Sequence, residues 1–600
     1  MAKSSAVIRP NLGLYFDRPS ISMNDRMLAD GMNFRIKEGK LSNLNLGYDL
    51  FSAVQLNGPV MVIRSFTTRA GVEHLIVATT KDICVYINAE DTFHYLTPIY
   101  NAGTAAASGT AVTGTTTLWD ANAKAGDQIS FGANDVNEHE ATWFEIDSVD
   151  SDTGITLTAS AGTVVDGPYT IRKLFTGDLT NLWDDEIFVN ASPSGVNELW
   201  LTNGIDDIVR WDGASATVEV MSALNFKAKI LTVFKNMMIF GNITQGGTNK
   251  TTDIINSNPG EPQNVTTGIS EQFQVHGGTD PLIAMKPIGD VLALYSKENV
   301  VIAHATGDDL VFIFRNAIAT IGCKAHRGIA DFGNYHEFIG SDSQYIFDGV
   351  SVKEINPHVW REIIRQQDPL RVAASFAHFD DENGDLIWSV PSTSDPGSGV
   401  DTSPAAQAYS EHYLEGKMDP QYPTPFSKRA FAFTAAGYYS RQSTFTWANL
   451  TQAWSMLNFR WNDQFFFTAF PLNLVGDADG WIYTLNTSQD ANDVGLDSFV
   501  TFGRRAVIDG KQRGLITRVY PFLSPFSTPI NVTLYLSDHA MGVATITDTQ
   551  SFDQSLPEGG HFTAHYRRGR FFQLSFSTTG TGKPWELSGF DFDVRQGGHR

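Results

Sequence analysis

The chain has 600 residues, with 43 Lys and Arg against 66 Asp and Glu, and a formal net charge of −23. This length predicts roughly two to four domains rather than one core. The negative balance argues against a protein that grips nucleic acid or docks on anionic lipid, because both need a basic surface. The two cysteines, Cys84 and Cys323, lack paired spacing and are predicted to be buried thiols, not zinc ligands.

Residues 1–50 are predicted to form an N-terminal arm that ends in a hairpin. A helical turn is predicted to end at Gly31, after which residues 34–36 alternate as a strand and residues 37–40 close the hairpin. No apolar stretch precedes Asn11, so no cleaved secretion signal is expected. No apolar run in the chain is long enough for a membrane span.

The body of the chain repeats one local pattern: an apolar strand, a polar turn and an aromatic strand. Its clearest copy covers residues 337–349 and closes with Asp348-Gly349, and further copies lie at residues 75–86, 199–213 and 474–483. From Val291 to Phe338 the pattern advances by about 45 residues, which is typical of a four-stranded propeller blade. The sequence therefore predicts an all-β protein with a central, irregular β-propeller of about 6–8 blades.

Composition divides this body further. Residues 51–97 supply the first propeller strands, and residues 98–175, rich in Gly, Ala, Thr and Ser, predict an inserted small β-barrel or sandwich. Residues 176–499 hold the remaining blades, with long loops predicted at 244–280 and 391–428.

One short helix is predicted at residues 356–365. Asn356 is expected to cap it, and Pro357 is expected to occupy its first position, where the missing N–H of proline is harmless.

Residues 500–600 are predicted to form a C-terminal β unit whose charge differs from that of the rest. It carries 11 Lys and Arg against 8 Asp and Glu, a net of +3, whereas the remainder carries −26. The candidate docking residues for an acidic partner or a neighbouring copy are Arg504, Arg505, Arg567, Arg568 and Arg570. The alternative is an ordinary solvated face.

No motif predicts a catalytic, metal or cofactor site. Asp477-Ala478-Asp479-Gly480 begins like a calcium loop but lacks the closing glutamate. His561 and His565 share one face of a strand without further ligands, so a metal there is not expected. No Gly-x-Ser-x-Gly stands in a strand–helix context, and adjacent carboxylates point to opposite faces of a strand. A propeller glycosidase, whose carboxylates come from different blades, stays open as an alternative.

Several segments resemble, in order, the tail nozzle family of short-tailed bacteriophages, also called tail tubular protein B or tail hub proteins. Residues 31–40, Gly-Met-Asn-Phe-Arg-Ile-Lys-Glu-Gly-Lys, are similar to the N-terminal signature of that family. Residues 201–213, 240–242 and 338–349 follow its order, and residues 567–572 and 585–591 are similar to its closing strand pair. The chain departs from the family at residues 244–280, which contain no tryptophan.

The resemblance implies a structural virion protein without catalysis, assembled in the host cytoplasm and located in the virion tail. A hexameric ring is expected at the far end of the tail, as a conduit and gate for genome retention and ejection. Its expected partners are an adaptor or portal-side ring and tail fibres or spikes, with DNA passing through unbound. The alternative is a receptor- or glycan-binding tail propeller, with or without hydrolase activity. Trp388, Trp447 and Trp454 are its candidates for stacking on sugars, although packing in a core is the expected role of each.

Overall fold

A computed structural model describes residue 8 and residues 11–88, 90–132, 142–191, 195–275, 280–307, 311–318, 320–394, 406–418, 423–439, 471–508, 511–555 and 562–596. The chain divides into two compact units. Unit 1 comprises Met1–Phe51, Ile321–Phe433 and Tyr483–Arg600, and unit 2 comprises Ser52–Thr320 and Thr434–Ile482. None of the helices in the described residues is long and apolar enough to cross a membrane.

Unit 1 begins with a 3-10 turn, Ser20–Ser22, and short strands. These strands are β1 (Leu28–Met32), β2 (Arg35–Lys37), β3 (Lys40–Ser42) and β4 (Tyr48–Leu50). The hairpin of β2 and β3 confirms the prediction at residues 34–40. The helical turn predicted before Gly31 is wrong, because this segment is extended and places Gly31 opposite Val500 in an antiparallel pair.

The first blade of unit 2 is an antiparallel sheet of four consecutive strands. They are β5 (Val60–Thr67), β6 (Glu73–Thr79), β7 (Ile83–Ile87) and β8 (Thr92–Tyr95). Apolar residues such as Ile76 and Val77 face both sides of the sheet and are fully buried. A strand that is buried on both faces has apolar residues at consecutive positions, which explains why residues 75–78 are all apolar.

The inserted domain is one eight-stranded antiparallel sheet around its own core. Its elements are β9 (Ile99–Tyr100), β10 (Thr104–Ser108), β11 (Ala111–Thr115), α1 (Trp119–Asn122), β12 (Gln128–Phe131), β13 (Phe144–Ser151), β14 (Gly154–Leu157), β15 (Thr163–Gly167) and β16 (Tyr169–Arg172). Trp119 lies at the centre, and its indole N–H donates to the Tyr169 hydroxyl at 3.0 Å. The predicted inserted β domain is confirmed.

Three further blades of unit 2 follow in chain order, each an antiparallel sheet of four consecutive strands. They contain β17 (Asp184–Phe188), β18 (Glu198–Thr202), β19 (Val209–Trp211), β20 (Glu219–Val220), β21 (Phe226–Phe234), β22 (Met237–Gln245), β23 (Thr248–Asn256), β24 (Gln272–Gln274), β25 (Leu282–Ile288), β26 (Val291–Ser296), β27 (Val300–Ala305) and β28 (Phe312–Ile318). A 3-10 turn, Ser222–Leu224, precedes β21. Lys235 and Asn236, with φ of 50° and 61°, form the two-residue turn between β21 and β22.

Unit 1 contains two blades of the same construction. They are built from β29 (Ile329–Asp331), β30 (His336–Ile339), β31 (Gln344–Phe347), β32 (Val352–Ile355), β33 (Phe376–Asp380), β34 (Asp385–Ser389), β35 (Gln407–His412) and β36 (Phe426–Ala430), with α2 (Pro357–Gln366), the 3-10 turn Val372–Ala374 and α3 (Tyr413–Met418) between strands. The predicted helix is confirmed, with Pro357 in its first turn. The predicted cap is wrong, because Asn356 has a left-handed backbone and makes no side-chain cap.

The last blade strands are β37 (Ala435–Tyr439), β38 (Leu472–Gly476) and β39 (Ile482–Leu485). In unit 2, β37 pairs with β38, and β37 also contacts β5. In unit 1, β39 pairs with β4.

Unit 2 shows how neighbouring blades pack. The first strands of successive sheets contact one another: β37 with β5, β5 with β17, β17 with β21, and β21 with β25. The backbones of β37 and β5 come very close together at Gly437, where a Cβ atom would lie 2.0 Å from the Ile63 carbonyl oxygen. Four-stranded antiparallel sheets packed through their first strands form a β-propeller, which confirms the predicted fold class.

The C-terminal unit is a sandwich of two sheets. Its strands are β40 (Ser498–Phe502), β41 (Arg505–Ala506), β42 (Gly514–Leu523), β43 (Ile530–Ser537), β44 (Ile546–Phe552), β45 (Thr563–Gly569), β46 (Phe571–Thr578) and β47 (Glu586–Gln596). One sheet has the order β1-β40-β46-β43-β44, with β41 beside β46, and the other has the order β2-β3-β47-β42-β45. Both sheets share one core that includes Phe34, Leu41, Trp585 and Phe590.

The two predicted loops differ from the structure. Residues 244–280 include β23 and β24, and residues 391–428 include β35, α3 and the first part of β36. β23 escaped prediction because its first six residues, Thr248–Asp253, are polar and exposed or half-buried. The remaining domain boundaries drawn from the sequence stay predictions.

Candidate docking surface

Arginines meet at one end of the C-terminal sandwich, where β42 begins. β42 lies between β45 and β47, and the register places Leu515 opposite Arg568 on one side and opposite Arg595 on the other. Arg570 follows in the turn to β46, and its backbone N–H donates to the Ser537 carbonyl at 3.2 Å. We call this surface the basic end, and it comprises Arg513, Arg567, Arg568, Arg570 and Arg595.

The members of the basic end differ in how they are paired. Arg568, Arg570 and Arg595 are exposed, and within the described part of the chain they form no ion pair. Arg567 lies 3.2 Å from Asp548 Oδ1, and Arg513 pairs with Asp538. Three guanidinium groups are therefore available to a partner.

Asp548 shows that Arg567 is partly engaged within the chain. This carboxylate also lies 3.0 Å from His565 Nδ1. Burial would raise the pKa of Asp548, but hydrogen bonds from Arg567 and His565 outweigh burial and hold that pKa below its usual range.

Arg504 and Arg505, two of the candidate docking residues, contact their own chain. Arg504 Nη1 donates to the carbonyls of Ala540, at 3.1 Å, and Gly542. Arg505 pairs with Asp25 at 2.5 Å. Arg504 thus anchors the loop between β43 and β44.

That loop, residues 538–545, presents apolar side chains to solvent, and we call it the hairpin tip. Met541 is 71% exposed and Val543 is 89% exposed. The tip is held by the Arg504 hydrogen bonds and by the Arg513–Asp538 pair. Methionine and arginine are enriched in protein interfaces, and a loop fixed in advance loses little entropy on binding.

Sequence reasoning found Arg567, Arg568 and Arg570 but missed Arg513, Arg595 and the hairpin tip. Arg595 is 27 positions from Arg568 in the sequence, and only the pairing of both with Leu515 makes them neighbours. The exposed Met541 and Val543 interrupt a polar turn, which is a local signal that could have been noticed.

A buried chain of hydrogen bonds in unit 1 has the order Ser–His–Asp. His412 Nε2 lies 2.9 Å from the Ser427 hydroxyl, and His412 Nδ1 lies 2.7 Å from Asp385 Oδ1. These residues stand on the neighbouring strands β34, β35 and β36. The order and distances match those of an acyl-transfer triad.

Access and charge oppose a nucleophilic role for this chain. Ser427 is only 1% exposed, so a substrate carbonyl does not reach its hydroxyl. Asp385 also accepts from Arg35 Nε at 2.7 Å. Burial would raise the pKa of Asp385, but the charges of His412 and Arg35 lower it to about 2. The arrangement ties β2 to the blade of β33–β36.

A second buried group in unit 1 brings together two carboxyls, those of Glu337 and Glu411, and neither forms an ion pair with a cation of the described residues. Gln344 Nε2 donates to Glu337 Oε2 at 3.1 Å and to Glu411 Oε2 at 3.0 Å. Glu411 also accepts from Asn356 Nδ2 at 2.8 Å and from Trp388 Nε1 at 3.2 Å. Burial, and then the charge of Glu411, raise the pKa of Glu337 to about 9. Trp388, whose indole N–H donates to this pair, is fully buried and therefore has no ring face available to a sugar.

Unit 2 contains a polar cleft of about 560 Å³ beside the inserted domain. Its lining includes Lys124, Lys173, Asp127 and Asp206, and its one aromatic residue, Phe175, is buried. Burial raises the pKa of Asp127 to about 6, although the backbone N–H groups of Lys124 and Leu174 donate to its carboxylate. The cleft therefore presents charges but no aromatic ring for stacking.

The motifs that resembled metal sites form local hydrogen bonds within the chain or lie outside the described residues. Asp477 Oδ1 accepts from the backbone N–H groups of Asp479 and Trp481. His565 is buried against Asp548 and Thr563, while His561, Trp447 and Trp454 fall outside the described residues. Within the described ranges, no group of three or more His, Cys, Asp or Glu side chains is arranged to hold a metal ion.

Comparison with known proteins identifies no family. No family model and no curated protein matches the chain. Among solved structures, the Neurospora crassa Pan2 WD40 domain matches at 10% identity, over 73% of this chain and 95% of that one, with a TM-score of 0.25. The phage phi92 endosialidase matches at 10% identity, over 55% of this chain and 52% of that one, with a TM-score of 0.17. Likenesses at these TM-scores carry no argument about function.

Proposed function

We propose that this protein is a structural, non-enzymatic component of a short phage tail, where it forms the hexameric nozzle ring that retains and then conducts the genome. The proposal is supported by the position of the segments that resemble the family. The signature at residues 31–40 and the closing motif at residues 585–591 belong to one sandwich, in which Leu41 lies opposite Leu587. The two ends of the chain that resemble the family thus form one building block.

The charge of the chain supports the conduit role. A wall that bound phosphates would hold the genome, whereas a net charge of −23 repels it and favours free passage. A basic end on an otherwise acidic chain suits a protein contact, for which the adaptor ring, the fibres and a neighbouring copy are the candidates.

Support for glycan binding is weaker. Trp388, the described tryptophan among the proposed stacking residues, is buried in the carboxyl pair, and the polar cleft offers no exposed ring. The Ser–His–Asp chain lacks access for a substrate.

The test is the mass and symmetry of the purified protein, alone and mixed with tail components of the virion. Light scattering coupled to size exclusion gives the mass, and negative-stain electron microscopy gives the symmetry. A hexameric ring, formed alone or on an adaptor, is the expected result. A protein that stays monomeric in every mixture and is absent from virions would refute the proposal.

A further inference from the structure

The inserted domain carries a surface that is opposite in charge to the basic end. Residues 98–175 hold 10 Asp and Glu against 3 Lys and Arg, a net of −7. On β13, Ile146 points into the domain core, so Glu145 and Asp147 point outward, and both are exposed. Asp150 and Asp152 follow at the hairpin to β14 and are also exposed. We call these four residues the acidic strand.

The acidic strand has only neutral hydrogen-bond donors among the residues that the structure describes. Asp150 accepts from the hydroxyls of Ser148, at 2.9 Å, and Thr156, at 2.8 Å, and Asp152 accepts from the backbone N–H of Asp120. All these donors are neutral. No ion pair involves Glu145, Asp147, Asp150 or Asp152 in the portion of the chain that the structure describes.

The basic end matches this surface in chemistry. Arg568 and Arg595 stand on either side of Leu515, and directly opposite residues in a sheet have Cβ atoms about 5 Å apart, so the two guanidinium groups form a row about 10 Å wide. Neighbouring outward residues on one strand, such as Glu145 and Asp147, are about 7 Å apart. Two rows of opposite charge and similar length can therefore face each other, with the apolar hairpin tip beside them.

We propose that the basic end of one copy docks on the acidic strand of a second copy. The proposal rests on the self-assembly in the proposed function and names the surfaces that make the contact. Each copy carries one of each surface, so in the proposed ring the contact is heterologous and joins copies head to tail. Because the contacts are charged and near solvent, assembly should weaken as salt is raised.

The test uses two charge-reversal variants, Arg568→Glu/Arg595→Glu and Glu145→Lys/Asp147→Lys. Sedimentation velocity of the full chain, alone and with virion tail components, measures assembly under the conditions in which the unaltered chain assembles. Each variant should weaken self-association by about tenfold or more. The chain that carries all four changes should assemble again, because the charges are exchanged rather than lost.

An equal mixture of the two variants provides a second test. Each variant keeps one intact surface and carries one reversed surface, and in the mixture each surface meets its complement on the other variant. The mixture should therefore assemble in alternation, although neither variant assembles well alone. The control Lys37→Glu/Lys353→Glu changes charge by the same amount at exposed residues elsewhere and should assemble normally. All changed residues are exposed, and circular dichroism checks that each variant folds.

The outcomes separate this proposal from the proposed function. If both variants still form rings of normal affinity, or if the fourfold variant does not recover, the proposed contact is wrong and the nozzle role stands. If the unaltered chain never self-associates, alone or with tail components, the contact and the ring are both wrong.

Discussion

Replacing Glu337 by glutamine should remove a pH dependence of stability that the buried carboxyl pair creates. Glu337 and Glu411 share the amide nitrogen of Gln344, and no cation of the described residues pairs with either. Glu411 receives three N–H donors and Glu337 receives one, so the negative charge resides on Glu411 and the proton on Glu337. Glutamine has the same shape as the protonated carboxyl, and it stays neutral at every pH.

The size of this pH dependence follows from the difference in bound protons between the folded and the unfolded chain. The pKa of Glu337 is raised from 4.5 to about 9 by burial and by the charge of Glu411. Between these values the folded chain holds one proton that the unfolded chain has released. The stabilisation is complete below the unfolded pKa and is lost as pH rises through the folded pKa, at about 1.4 kcal/mol per pH unit.

The assay compares the unfolding transition of Glu337→Gln with that of the unaltered chain at several pH values from about 5 to about 9. The free energy of unfolding of Glu337→Gln, relative to that of the unaltered chain, should increase with each rise in pH. Glu382→Gln, at an exposed glutamate, is the matched control and should show no such trend. The infrared absorption of protonated carboxyls at neutral pH should be weaker in Glu337→Gln than in the unaltered chain, because the variant lacks one of them. Parallel stability curves, or an infrared absorption that the substitution leaves unchanged, would refute the shared proton.

Three further predictions concern the packing of each unit. Arg35→Ala leaves the buried Asp385 without its guanidinium partner and should destabilise unit 1 by about 3–5 kcal/mol, measured by thermal unfolding; a melting curve unchanged from that of the parent would contradict this. Gly437→Val forces side-chain atoms onto the Ile63 carbonyl and should cost at least about 3 kcal/mol, whereas valine at Gly167, where a Cβ atom would meet only the Val165 carbonyl at 3.6 Å, should be much milder if close packing is the cause. Arg504→Ala should speed amide exchange across the hairpin tip without lowering the melting temperature much, and unchanged exchange would show that Arg504 is not its anchor.

Local chemistry explains which parts of the fold were predictable. The hairpin of β30 and β31 follows from apolar runs and turn formers, and Asp348 forms the next turn, between β31 and β32, by accepting the backbone N–H groups of Val350 and Ser351. The step of about 45 residues then gives the blade and with it the propeller. These signals lie within short stretches, so a single sequence reveals them.

Predictions failed where distant residues decide the structure. β1 contains Asp30 and Gly31, both poor strand formers, yet it is extended because it pairs with residues 499–502. Residues 391–428, which contain β35, predict a loop because they are rich in Ser, Asp, Gly and Pro, and the strand itself carries the polar side chains of Glu411 and His412. Those side chains are buried because residues far away in the sequence supply their partners, as Asp385 does for His412 and Gln344 for Glu411.

β35 is also the element that connects the two buried polar groups. Glu411 and His412 are consecutive, so they point to opposite faces of the sheet. Glu411 joins β31 and the start of α2 through Gln344 and Asn356, and His412 joins Asp385, which holds Arg35 of β2 from 350 residues away in the sequence. Buried polar groups of this kind stabilise little compared with a well-packed apolar core, but a wrong pairing would leave a charge unpaired. β35 thereby helps to specify where the N-terminal signature attaches. An apolar residue in place of Arg35 would pack against many surfaces. The guanidinium, by contrast, donates to Asp385 at 2.7 Å and to Asn383 at 2.9 Å, and it lies 3.7 Å from the Asp380 carboxylate.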